Sequence, residues 1–308
     1  MDAYEDRWLG CEIRCNTGRD RALLFSTGYM ANLAVTSALT ERHDVIFQDK
    51  LNHASLIDAA RLSDAAFKRY AHNDLDQLGH LIGHSDARRR LIMADAVFSM
   101  DGDKADVKGL VDVATQTAST LMLDDAHGFG VLGEQGGGIC DALKLTQQQV
   151  PVLMATLGKA AGVSGAFIAG SDELIETLIQ QARSYIYTTA SPPANAAAIM
   201  QSLQLIRQEN WRREKLFELI DYFKQQIRQL DIALMPSDTA IQPIVIGDNQ
   251  QALTVSQRLF DAGFYVVAIR PPTVPDGTAR LRVTLSAAHD KSHIDGLLAA
   301  LKKLINRL

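Results

Sequence analysis

Short apolar runs alternate with amphipathic segments of helix length through the first half of the chain. Residues 21–25, 44–48, 90–94, 120–124, 151–156 and 166–169 read as strands. Between them, 31–39, 53–62, 75–82 and 107–115 place apolar residues at helical spacing. The strand runs are continuous rather than alternating, as expected of strands covered on both faces. This order predicts an α/β fold, a large domain with a mostly parallel central sheet flanked by helices.

Beyond Asp172 the texture changes. Residues 191–230 read as one long helix opening at Pro192-Pro193, where missing backbone donors are tolerated. Strand, helix and strand then resume at 241–246, 252–262, 265–269 and 279–285, followed by a helix over 292–304. The pattern predicts a large domain over 1–205 and a smaller C-terminal α+β domain over 206–308.

Composition narrows the class without changing it. With 47% hydrophobic and 22% charged residues the chain is of globular type, and a net charge of −5 gives no pull toward nucleic acid or an anionic membrane. No apolar run approaches the roughly 20 residues a membrane helix needs. The acidic start, Met1-Asp2-Ala3-Tyr4-Glu5-Asp6-Arg7, lacks the parts of a signal peptide, so a cytoplasmic location is expected. Cys11, Cys15 and Cys140 form no disulfide framework, which fits a reducing compartment. No second ligand pair completes Cys11-x3-Cys15, so no metal is expected.

Gly128-Phe129-Gly130-Val131-Leu132-Gly133 matches the dinucleotide pattern G-x-G-x-x-G after a predicted strand. Its context excludes that use. The strand ends in Asp124-Asp125, which would face a pyrophosphate, and Glu134-Gln135-Gly136-Gly137-Gly138 is a poor helix start. Gly158-Lys159 lacks the flanking residues of a phosphate-binding P-loop.

Thr156-Leu157-Gly158-Lys159-Ala160-Ala161-Gly162 follows an apolar strand and puts a lysine among small residues at a strand's C-terminal end. Ligands gather there in α/β sheets, although taken alone the residue reads more readily as a lysine snorkelling at a strand end. Asp124 ends a second apolar strand, with His127 three residues on. A carboxylate so placed suits the pyridine nitrogen of pyridoxal phosphate (PLP), and His127 suits a ring oxygen or substrate. Asp125 reads as a carboxylate capping a turn. Ser26-Thr27-Gly28 between strand and helix offers a phosphate cradle or a plain N-cap, and Thr156 could add a hydroxyl. His53 suits a stacking partner or a helix cap. Arg280 and Arg282 share one strand face, one suited to a substrate carboxylate and the other to a neighbouring acid.

These residues resemble a known family. Asn52-His53-Ala54-Ser55, Val97-Phe98-Ser99-Met100-Asp101-Gly102-Asp103, Asp124-Asp125-Ala126-His127-Gly128, Thr156-Leu157-Gly158-Lys159 and Thr278-Ala279-Arg280-Leu281-Arg282 occur in the order found in the α-oxoamine synthases. The resemblance runs from Arg21 to the C-terminus and implies the PLP-dependent transferase fold of type I. It implies that Lys159 attaches to PLP through a Schiff base and later moves protons at the substrate α-carbon. Asp124 would pair with the pyridine nitrogen, His53 would stack on the ring, and Ser99 and His127 would bond the ring oxygen. Gly28, Tyr29 and Thr156 would hold cofactor and phosphate, with Thr188 reaching the phosphate across a homodimer interface, and Arg282 would bind the amino-acid carboxylate. Within the family, Ala268-Ile269-Arg270-Pro271-Pro272-Thr273-Val274-Pro275 is most similar to the branch of biotin synthesis. That branch joins L-alanine to a pimeloyl thioester of CoA or a carrier protein, giving 8-amino-7-oxononanoate, CO2 and free thiol. Sister branches use glycine.

Family members carry several dozen residues before the region matching Arg21, among them an Asn-Asp-Tyr-Leu-Gly motif and a glycine-rich stretch. Neither is found here. The resemblance therefore implies a form shortened at its front, with apolar surface on 241–246 exposed, that is either an active acyltransferase or a non-catalytic product keeping the fold.

Overall fold

A computed structural model describes residues 2–230 and 232–305. The chain forms two compact units. One holds the residues up to Phe98 and from Lys104 to Asn210; the other holds Ser99–Asp103 and the residues from Trp211 onward.

The first unit is built on β1 (Arg21–Phe25), β2 (Val45–Asp49), β3 (Ala66–Tyr70), β4 (Arg90–Asp95), β5 (Thr120–Asp124), β6 (Val152–Thr156) and β7 (Ala166–Gly170). They lie in the order β1-β7-β6-β5-β4-β2-β3. Strands β2 to β6 are mutually parallel, and β7 runs antiparallel to both β6 and β1. Parallel neighbours require crossovers, supplied by the helices Ala54–Leu62, Leu75–Gly83 and Val107–Gln116 and the short helix Ile139–Leu143. Between β6 and β7 the chain instead reverses directly, with Gly162 and Gly165 at φ 68° and 94°. Only glycine takes such angles readily, and Lys159 sits inside that reversal.

Both sheet faces are covered. Leu23, Phe25, Ile46, Met93, Met122, Met154 and Ile168 pack against Ala31, Ala34, Val35 and Ala38 of the helix Gly28–Leu39. On the opposite side Phe167, Ala155 and Leu157 meet Leu9 and Ile13 of the helix Asp2–Thr17 and Ile199 and Leu203 of the helix Pro193–Gln208. Each large apolar side chain so buried contributes about 1.5–3 kcal/mol. Arg207 and Glu12 pair at 2.6 Å beside this second cluster.

The second unit places β8 (Ile241–Gly247), β9 (Val267–Ile269) and β10 (Ala279–Thr284) in an antiparallel sheet of order β8-β10-β9. The helices Trp211–Ile227, Asn249–Asp261 and Lys291–Ile305 complete it, burying Phe223, Val255, Leu259 and Leu301. Among the described residues no helix is long and apolar enough to cross a membrane.

Three expectations need correction. Strand β3 is absent from the sequence reading because Ala66-Phe67-Lys68-Arg69-Tyr70 has no continuous apolar run; it is an edge strand, and edges carry charge. The long helix over 191–230 is two helices, since Glu209 leaves helical geometry at φ −106°, ψ 59°. The boundary drawn after residue 205 falls inside a helix; the first unit runs to Asn210, and Ser99–Asp103 joins the second, where Ser237 and Thr239 both donate to the Gly102 carbonyl at 2.8 Å.

Candidate active site

The parallel strands β2, β4, β5 and β6 end in Asp49, Asp95, Asp124 and Thr156, so one edge of the sheet collects three carboxylates and a hydroxyl. Asp95 and Asp124 are cross-strand partners and both are buried. Asp124 accepts hydrogen bonds from the Asn32 amide at 2.9 Å and the Ala126 N–H at 3.1 Å. Burial nevertheless raises its carboxyl above the usual range, against the pull of Asn32, Lys159, Ala126 and His53. Asp95 accepts from the His53 N–H at 2.8 Å. Burial first, then the charge of Asp124, lifts it well above the usual range.

Lys159 emerges from the reversal after β6. Its Nζ lies 2.7 Å from Nε2 of His127, which stands in the turn after β5. Backbone bonds from Gly162 N–H to Lys159 O (3.0 Å) and Val163 N–H to Leu157 O (2.9 Å) fold the loop that presents the lysine. Lys159 is exposed, whereas Asp124 at the neighbouring strand end is buried.

The helix Gly28–Leu39 starts against the end of β6. A methyl group at Gly28 would come within 2.9 Å of Thr156 Cγ2, so this position has little room for a side chain. Thr27 caps the helix, its hydroxyl accepting from Met30 N–H at 3.2 Å. Thr156 Oγ1 makes only a 3.4 Å bond to Ala126 O. Tyr29 is exposed and donates to Asp58 at 2.8 Å. Thr188 is also exposed and shares with Ser26 and Leu157 a cavity of about 250 Å³.

His53 caps the helix Ala54–Leu62, accepting from Ser55 N–H at 3.3 Å through Nδ1. Ser99 and Arg282 meet in the second unit, where the guanidinium donates to the Ser99 carbonyl at 3.0 Å. Burial lowers the Arg282 guanidinium from its usual value. Arg280 is the arginine that pairs with an acid, Asp101.

The glycine pattern that resembled a dinucleotide site surrounds Asp125 instead. A methyl at Gly128 or Gly138 would overlap this carboxylate, which accepts from Ile139 N–H at 2.6 Å. Burial pushes Asp125 up to about 8. No group of three or more His, Cys, Asp or Glu among the described residues is arranged to hold a metal. Sequence reasoning missed Asp95, Asn32 and Ser55. Asp95 ends an apolar strand just as Asp124 does, and Asn32 is a lone amide on the Ala31-Ala34-Val35-Ala38 face.

The family model for aminotransferase class I and II matches residues 7–301. The chain belongs to this family. Its relatives within it include the 8-amino-7-oxononanoate synthase of Saccharophagus degradans, 54% identical over 306 residues, or 99% of this chain and 77% of the relative. The enzyme of the same name from Alkalilimnicola ehrlichii is 55% identical over 94% of this chain and 74% of its own length. Among solved structures, 8-amino-7-oxononanoate synthase from Francisella tularensis superposes with a TM-score of 0.88 at 32% identity, covering 100% of this chain and 89% of that one. A high-resolution structure of SPT with a PLP internal aldimine gives a TM-score of 0.94 at 29% identity, over 99% of this chain and 77% of that one. In α/β sheets ligands gather outside the C-terminal ends of the strands, the edge at which Asp124 and Thr156 lie.

Proposed function

We propose that the chain is a PLP-dependent acyltransferase that condenses L-alanine with a pimeloyl thioester, releasing CO2 and the thiol and forming 8-amino-7-oxononanoate. The observation that carries this reading is the Lys159–His127 pair at 2.7 Å beside the buried Asp124, in a chain over half identical to synthases of that name. The residues fit the coenzyme. Burial raises the Asp124 carboxyl, and a protonated ring nitrogen is the partner that would restore its charge.

When bound, PLP supplies an electron sink for the carbanion at the substrate α-carbon. Lys159 would hold it and would move the proton at the substrate α-carbon. Asp124 would hold the ring nitrogen protonated, His53 would stack on the ring, and His127 and Ser99 would bond its oxygen. Gly28, Tyr29 and Thr156 hold the coenzyme and its phosphate, joined by Thr188 of a second subunit in a cytoplasmic homodimer. Arg282 grips the alanine carboxylate.

The test is release of CO2 and CoA from L-alanine and pimeloyl-CoA by the purified chain supplied with PLP. Turnover with alanine, absent in Lys159→Ala, is expected. Turnover with glycine alone would move the chain to a sister branch, and none with either amino acid would overturn the reading.

A further inference from the structure

Four polar groups link the ends of β5 and β2. The Asn32 amide nitrogen lies 2.9 Å from Asp124 Oδ2 and 2.8 Å from Ser55 Oγ, and Ser55 Oγ lies 2.7 Å from His53 Nδ1. Asn32, Ser55 and Asp124 are 0%, 2% and 4% exposed, so water does not compete for these bonds.

Donor chemistry fixes the direction of each bond. An amide nitrogen has two protons and no lone pair to offer, so Asn32 donates both to the carboxylate and to the serine. Ser55 Oγ, already an acceptor, turns its own proton to His53 Nδ1. That nitrogen also receives the Ser55 backbone N–H at 3.3 Å. With two donors aimed at it, Nδ1 carries no proton. The neutral imidazole therefore has its proton on Nε2, and a ring flip would set a carbon against the serine hydroxyl. Asn32 Oδ1 is buried with no hydrogen-bond partner among the described residues, so the amide's polar contacts all run through its nitrogen.

We propose that Asn32 and Ser55 are positioning residues of this site, a hydrogen-bond bridge from Asp124 that holds His53 in its Nε2–H tautomer and fixes its ring plane. The bridge does not relay protons, because the amide at its centre donates in both directions. It ties the carboxylate assigned to the ring nitrogen to the imidazole assigned to the ring face, so removing either link loosens two coenzyme contacts together. This last consequence rests on the PLP reading; the tautomer does not.

The test is carried out first without coenzyme. Protein labelled with 15N-histidine is studied by multiple-bond 1H–15N correlation at alkaline pH, where unperturbed imidazoles are neutral, with His53→Gln assigning the signal. The wild type should show His53 with bare Nδ1 and protonated Nε2. Ser55→Ala, left with only the long 3.3 Å backbone N–H contact, should give mixed tautomers, and Ser55→Thr, which keeps the hydroxyl, should restore the single form. A wild-type proton on Nδ1, or an unchanged tautomer in Ser55→Ala, would overturn the proposal whether or not Asn32 variants fold. PLP is then titrated by its visible absorbance. Asn32→Ala should bind it about tenfold more weakly, the loss of roughly one net hydrogen bond. Equal affinity in Asn32→Ala would overturn the coenzyme half of the proposal. Failure of the wild type itself to bind PLP would instead sink the functional reading and leave the tautomer result standing.

Discussion

The two ends of the seven-stranded sheet treat buried carboxylates in opposite ways. Ahead of β2, Asp44 accepts the N–H groups of Glu41 (2.8 Å) and Arg89 (3.1 Å) and the guanidinium of Arg88 (3.3 Å). Burial raises it, but these donors prevail, and it settles below the usual carboxylate range. At the far end Asp95, Asp124 and Asp125 are also buried and also hydrogen-bonded, yet burial prevails and all three lie above that range. Asp44 differs in lying less deep in the protein and in having a guanidinium beside its two backbone donors. At Asp44 the fold supplies a countercharge, because an unpaired buried charge is costly. At the far end burial keeps the acids perturbed, and perturbed acids of this kind cluster at functional sites.

The sharpest way to break this comparison is to neutralise one carboxylate at each end. Asp124→Asn should weaken PLP binding about a hundredfold, the loss of one charge-assisted bond, with a small change in stability. Asp44→Asn should leave PLP affinity within about twofold while lowering the unfolding free energy by about 1–3 kcal/mol. Urea denaturation and PLP titration of both variants decide the matter. Equal losses of affinity would void the contrast.

A second contrast separates the two ends by pH. Asp125, held near 8 when folded, binds a proton that the unfolded chain releases near pH 4. Its stabilising contribution is thus full below about pH 4 and is lost as pH rises through about 8. For Asp44 the sign reverses: its contribution is present above about pH 4 and is lost as pH falls through its depressed folded value. Denaturant midpoints of wild type should therefore fall relative to Asp125→Asn between about pH 5 and 8. Parallel pH profiles for the two proteins would refute the assignment.

Much of this was legible because buried strands announce themselves. Leu121-Met122-Leu123 and Val152-Leu153-Met154-Ala155 are covered on both faces, so the residues ending those runs, Asp124 and Thr156, mark the sheet's C-terminal edge without any structure. Lys159, three residues past β6, follows from the same logic. What escaped was set by three-dimensional contact. Strand β3 has half-exposed Lys68 and Arg69 and leaves no apolar signature. Asn32 contacts Asp124 across 92 residues of chain, and no local spacing encodes that bond. The bland readings were sound in places: His53 and Thr27 do cap helices, and Arg280 pairs with Asp101.

The most direct test concerns the lysine. The purified chain is incubated with PLP, reduced with borohydride, digested and mapped by mass spectrometry. The account predicts one pyridoxyl group, on the peptide containing Lys159, and none in Lys159→Ala. A label on any other lysine, or no label on the wild-type chain, would contradict it.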